Sequence, residues 1–96
     1  MKNMKTLAEV LFGPNRVAKA KILLSLKGRS LYVTQIAREI GIDQPTATAH
    51  LKALENAGLV SCKTFGPMKM YSLTEYAEKE IIPCLEKFFQ RINPKQ

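Results

Sequence analysis

Residues 33–73 read VTQIAREIGIDQPTATAHLKALENAGLVSCKTFGPMKMYSL. Thr34 is a capping residue type, and Ile36, Ala37 and Ile40 behind it share one helical face, which predicts a short helix over 35–40. Gly41-Ile42-Asp43 then forms a tight break. Asp43 is a good N-cap, and Pro45 is tolerated in a first turn, where a backbone donor has no helical partner to lose. The second helix runs to Asn56 or Ala57, with Gly58 as its left-handed stop. Its inward stripe is Ala47, His50 or Leu51, Leu54 and Ala57. Two short helices joined by such a turn make a helix-turn-helix unit, here over 34–57. Residues 59–65 read as a strand, Gly66-Pro67 as a turn and 68–73 as the returning strand, so a hairpin over 59–73 follows directly as a wing.

Working outward, residues 15–27 open with Asn15, a capping type, and close on Lys27-Gly28, a C-terminal signal. The apolar residues between them cover more than one stripe, as in a central helix touched on several sides. Leu31-Tyr32-Val33 is a short extended run. Upstream, Met4, Leu7, Leu11 and Phe12 share a helical face within 1–12. Downstream, Thr74 caps a last helix over 74–92 whose stripe includes Ile81, Leu85, Phe88, Phe89 and Ile92. Pro83 lies inside that stripe and should kink or split the helix at Ile82, because it lacks a backbone donor and crowds the preceding turn. The expected architecture is a single domain over 1–96, mainly α with a small β-hairpin, in the order α-α-β-α-α-β-β-α.

The 96 residues suit one hydrophobic core and leave no length for a separate cofactor or ligand domain. No apolar run reaches the ~18 residues a membrane span needs, and no export signal is apparent, which leads to the expectation of a cytoplasmic protein without a membrane role. Lys plus Arg outnumber Asp plus Glu by 15 to 8, a net charge of +7. The surplus is local. Residues 14–70 hold Arg16, Lys19, Lys21, Lys27, Arg29, Arg38, Lys52, Lys63 and Lys69 against Glu39, Asp43 and Glu55, whereas residues 71–96 hold four of each sign. A basic surplus confined to the helix-turn-helix and wing favours a polyanionic partner, nucleic acid first. The bland alternative is that these residues only solvate a small domain.

This combination resembles the winged helix-turn-helix of the ArsR and MarR type of prokaryotic transcription regulators. The resemblance rests on Ala37, Gly41, Asp43-Gln44-Pro45-Thr46, His50-Leu51-Lys52-Ala53-Leu54, Ala57-Gly58-Leu59-Val60 and Tyr71-Ser72-Leu73-Thr74, and upstream on Pro14-Asn15-Arg16 with Ile22-Leu23-Leu24. It spans roughly residues 14–92. It implies sequence-specific binding of double-stranded DNA as a homodimer, with the second helix of the unit in the major groove and dimer contacts from the terminal helices.

The residues agree with that implication. With the inward stripe removed, Gln44, Pro45, Thr46, Thr48, Ala49 and Lys52 remain on the outer face of the second helix. Glutamine can pair bidentately with adenine, threonine can hydrogen-bond or touch a thymine methyl, and Ala49 permits close approach. Thr46 and Thr48 could instead merely support the helix start. Lys52, a turn further on, suits a phosphate. Thr34 and Gln35 sit where free backbone donors can meet a phosphate. Lys63, Thr64 and Lys69 flank the short tip and suit the backbone or minor groove. Arg29 and Ser30 are weaker backbone candidates. His50 alone cannot make a metal site and is read as a packing or phosphate-adjacent residue.

Metal-sensing ArsR relatives place a cysteine pair near the start of the helix-turn-helix, or histidine and carboxylate ligands on the last helix. Residues 31–40 contain no cysteine and the last helix no histidine, so no metal or other cofactor is expected and any small-molecule effector is unknown. Cys62 and Cys84 could be buried free thiols, a disulfide stapling wing to last helix, or a redox switch. The terminal stripes, Met4, Leu7, Leu11 and Phe12 with Ile81, Leu85, Phe88, Phe89 and Ile92, exceed what one small core needs and suggest a two-fold interface. A dimer would set two recognition helices about 34 Å apart, matching a palindromic operator. A homodimeric repressor is the leading function. The alternatives are an architectural DNA-binding protein of low specificity and a winged helix used for protein–protein contact. No phosphate loop, metal cluster or nucleophile–base pair points to an enzyme.

Overall fold

The computed structural model describes residue 13 and residues 15–92, with side chains as far as Phe88. The helix read over 1–12, with Met4, Leu7, Leu11 and Phe12, lies outside the described residues. In chain order the elements are α1 (Arg16–Ser25), β1 (Leu31–Tyr32), α2 (Val33–Ile40), α3 (Gln44–Asn56), β2 (Val60–Phe65), β3 (Met68–Leu73), a π-helical turn (Ala77–Ile81) and α4 (Ile82–Ile92). The fold is mainly helical with a small antiparallel sheet.

Three boundaries differ from the sequence reading. Asn15 precedes α1 in a left-handed conformation, φ 62°, with no side-chain capping bond. Its carbonyl accepts the first helical bond, from Lys19 N–H at 3.0 Å. Thr34 does not cap α2, which begins two residues earlier than expected, at Val33, because the Gln35 side chain reaches back to accept from Tyr32 N–H at 2.9 Å. At Pro83 the helical segment divides at Ile82, one of the outcomes expected, but through a widened turn and not a break. The backbone before it widens into the π turn, where Ile82 N–H bonds to Ala77 O, and α4 starts at Ile82 with Pro83 in its first turn. A proline there loses no α-helical bond.

Other boundaries follow the residues closely. Asp43 Oδ1 accepts from Thr46 N–H at 2.8 Å and caps α3. Gly41, at φ 82°, turns α2 into α3 while its N–H and that of Ile42 both bond to Ala37 O. An L side chain at that φ is strained, so glycine suits the turn. Thr74 Oγ1 accepts from Ala77 N–H at 3.1 Å and donates to Gly58 O at 2.8 Å, tying the start of the last helical segment to the end of α3.

The sheet order is β1-β3-β2, all antiparallel, with Leu31 opposite Tyr71 and Cys62 opposite Tyr71. The core gathers Ile22, Leu23 and Leu26 of the α1 region, Ile36 of α2, Leu51 and Leu54 of α3, then Leu59, Tyr71, Ile81 and Ile82. Each fully buried Leu or Ile contributes roughly 1.5–3 kcal/mol of transfer free energy. That core grips α3 by one stripe, Ala47, His50, Leu51 and Leu54, and leaves its other side to solvent.

Candidate nucleic-acid interface

Gln44, Pro45, Thr46, Thr48, Ala49 and Lys52 are all exposed, whereas Ala47, Leu51 and Leu54 on the opposite stripe are 0% exposed. The rigid attachment of one stripe fixes where the other points. The outer face is polar or small-sided and carries no large apolar residue. Asp43 stays ionised well into acid because the Thr46 hydrogen bonds hold its carboxyl below the usual range. The cap is therefore intact at neutral pH.

His50 belongs to the inward side and is buried. Burial, and then the nearby Lys19 charge, pull its imidazole below the ordinary value. Both favour the neutral ring, which fits a packing role.

Not every expected backbone contact is equally free. Arg29 donates through Nη2 to Glu39 Oε1 at 2.5 Å and through Nε to Ser25 O at 2.8 Å. Ser30 Oγ lies 2.6 Å from Ser72 Oγ across the sheet. The Gln35 side chain is engaged at the start of α2. These three are committed to internal bonds. Lys52, Lys63 and Lys69 make no ion pair among the described residues. Thr34, Thr64 and both wing lysines are exposed. Arg38, on α2 and in the basic segment, is also exposed.

The wing has the extent that the sequence suggests. All residues from 63 to 69 are exposed, among them Phe65 and Met68. Cys62 and Cys84 are free thiols, so the disulfide alternative is not formed here, and Cys84 is exposed where a buried thiol was one expectation. Burial and the neighbouring Cys62 push the Tyr71 hydroxyl up to about 12. Among the described residues no three His, Cys, Asp or Glu side chains gather as a metal site. No helix among them is long and apolar enough to cross a membrane.

The expected dimer residues divide. Ile81 is turned into the protomer core, at 7% exposure, which removes it from any partner-facing surface. Leu85 is half-buried against the same core. Phe88 is 55% exposed. The side chains of Phe89 and Ile92 lie outside those described. Val17 and Tyr76 are also exposed apolar positions that periodicity did not single out.

This geometry has close counterparts. The family model for bacterial regulatory proteins of the arsR family matches residues 16–61. An uncharacterised HTH-type transcriptional regulator of Methanocaldococcus jannaschii is 31% identical over 90 residues, covering 91% of this chain and 99% of that protein. The chain belongs to the ArsR family of winged helix-turn-helix transcriptional regulators. Its function is that of a DNA-binding transcription regulator and not of an enzyme. The homodimeric winged helix-turn-helix DNA-binding domain of a possible ArsR-family regulator from Mycobacterium bovis superposes with a TM-score of 0.67 at 25% identity, covering 96% of this chain and 82% of that one. The transcriptional repressor BigR from Xylella fastidiosa superposes with a TM-score of 0.70 at 26% identity, covering 88% of this ArsR-family chain and 84% of that one.

Proposed function

We propose that the protein is a homodimeric, sequence-specific repressor that occupies a palindromic operator and blocks access of polymerase, acting in the cytoplasm. Helix α3 lies in the major groove. Gln44, Pro45, Thr46, Thr48 and Ala49 meet base edges there, and Lys52 meets a phosphate. Thr34, Thr64, Lys63 and Lys69 hold the backbone, with Arg29, Ser30 and Gln35 contributing less because their side chains are already bonded internally. Phe88, Phe89 and Ile92 with Met4, Leu7, Leu11 and Phe12 supply the two-fold interface. The observation that supports this reading best is the division of α3 into a fully buried stripe and an opposite polar, small-sided face. A homodimeric neighbour of the same fold supports the pairing.

The test is a fluorescence-anisotropy titration of the duplex just upstream of the protein's own coding region against a scrambled duplex, at two salt concentrations. A preference of about 1000-fold or more that persists at the higher salt supports a specific regulator. Equal binding that collapses with salt points to an architectural role. No binding to either duplex at low salt removes the DNA reading altogether.

A further inference from the structure

The wing carries apolar surface that neither the core nor phosphate contact explains. Phe65 is 52% and Met68 43% exposed, and the two face each other as a cross-strand pair either side of Gly66-Pro67. Gly66 has φ 60°, and proline holds φ near −65°, the sign pattern of a type II′ turn that keeps such a hairpin tight. Two neighbouring apolar side chains at the end of a basic hairpin give the wing a small apolar contact surface beside its charge.

The geometry points to a wedge for the minor groove: we infer that Phe65 and Met68 insert against a base step of double-stranded DNA, unstack it and bend the duplex. This rests on the DNA-binding reading above and adds a specificity-determining contact to it.

Reach, charge and shape each bear on this. The hairpin leaves the protein body at the Cys62–Tyr71 pair, where Tyr71 is still buried. Three further residues at about 3.3 Å each bring Phe65 about 10 Å beyond that pair. The minor groove is about 7.5 Å deep, so the exposed part of the hairpin is longer than the groove is deep. Alternation along the ribbon puts Lys63 on the same face as Phe65 and Met68, and Lys69 with Thr64 on the other. A ribbon laid with the Phe65–Met68 face toward the bases therefore brings Lys63 down beside that pair and leaves Lys69 on the outer side, toward a phosphate wall. Neither is drawn into an ion pair among the described residues. A two-stranded ribbon with side chains is wider than an undistorted minor groove of about 6 Å. Entry therefore demands that the groove open, and apolar side chains wedged into a base step do this by kinking the duplex toward the major groove. Pyrimidine–purine steps such as TA deform most readily. The wing would accordingly select flexible steps flanking the sites read by α3, without a hydrogen bond to any base.

The experiment starts from a random-sequence duplex library selected with the wild-type protein. The selected duplex is labelled at its ends for energy transfer and carries 2-aminopurine at the step under the wing, located by footprinting. Wild type should shorten the end-to-end distance and raise 2-aminopurine fluorescence several-fold. Phe65→Ser and, independently, Met68→Ser should abolish the rise and straighten the duplex. They should weaken binding about tenfold per wing, about a hundredfold for a dimer with both wings on DNA. The footprint of α3 should be unchanged, and selection with Phe65→Ser should lose the flanking-step preference. Both residues are exposed, so the variants should fold, which circular dichroism verifies. If the wild type selects a sequence but leaves it straight and stacked, the wedge is refuted while the regulator reading survives. If the wild type selects nothing, both fall together. If the serine variants instead lower the dimer population without DNA, the patch belongs to a second copy of the chain and the wedge is refuted.

Discussion

The salt dependence of DNA binding separates the cations that serve DNA from those that serve the fold. Lys63 and Lys69 are free of ion pairs among the described residues, whereas Arg29 is held by Glu39 and the Ser25 carbonyl, and Lys27 by Glu86. Each phosphate neutralised adds about 0.9 to the steepness of log K against log salt. In a homodimer Lys69→Ala removes two contacts, so the slope should become shallower by about 1.8. Between about 50 and 200 mM salt the deficit of the variant relative to wild type then shrinks about 12-fold. The double variant Lys63→Ala/Lys69→Ala should shift the slope by about 3.6, a change of about 150-fold over the same range. If only one subunit places its wing on DNA, each value halves, so the slope also reports stoichiometry. Arg29→Ala should change the slope by less than about half a unit, because its charge is already balanced by Glu39. The assay is anisotropy with one labelled duplex at four or more salt concentrations. Wild-type slopes for both wing variants, or a larger change from Arg29→Ala than from Lys69→Ala, would refute the partition of charges.

Three further outcomes are expected. Gln44→Ala should relax preference at one base pair per half-site by about 1–3 kcal/mol, read as a broadened motif in selection from a random duplex library. Leu54→Ala empties a fully buried site and should cost about 2–5 kcal/mol, lowering the melting temperature by at least about 10 °C. His50 titrates below its ordinary value in the folded protein because of burial, then of Lys19. The unfolded chain therefore takes up the proton first as pH falls. Its contribution to stability is fully present above about pH 6.5 and is lost as pH drops through the folded value. Urea unfolding of wild type should show this loss in mildly acidic buffer, and His50→Gln should flatten it there. The Asp43 cap titrates in a lower window, below its ordinary value of 3.8.

What was legible in the sequence is what a single residue enforces on its own backbone. Gly41 and Gly58 take positive φ, Asp43 and Thr74 cap the helices that follow, and the inward stripe of α3 reads directly from its spacing. The stripe accommodates both His50 and Leu51, since a helix gripped on one side has room for neighbours 100° apart. The misreadings at Asn15 and Thr34 have one cause. A capping residue type is only an offer: the Asn15 side chain makes no cap, and at α2 the Gln35 side chain fixes the start on Tyr32 N–H, ahead of Thr34. Pro83 announced a disturbance without saying which, because a split, a kink and a widened turn all spare the missing donor.

Contacts between distant residues were the least legible, and they decide which residues remain for DNA. Local spacing does not pair β1 with β3, and so gives no warning that Ser30 meets Ser72. Nor does it say which edge of the last apolar stripe faces the protomer, so Ile81 and Phe88 looked equivalent although one is core and the other surface. The basic surplus itself was visible, but not its division. Arg29 and Lys27 sit at the end of α1, close to Glu39 and Glu86 brought in by α2 and α4. The wing lysines pair with none of those carboxylates, and the wing strands carry no acid between residues 60 and 73. Charge that neutralises the fold's own carboxylates is a structural device. Charge placed on a hairpin and drawn into no ion pair keeps more of its field for a polyanion. The same isolation leaves Phe65 and Met68 uncovered, so the wing is where both the electrostatic and the apolar demands of the chain await a partner.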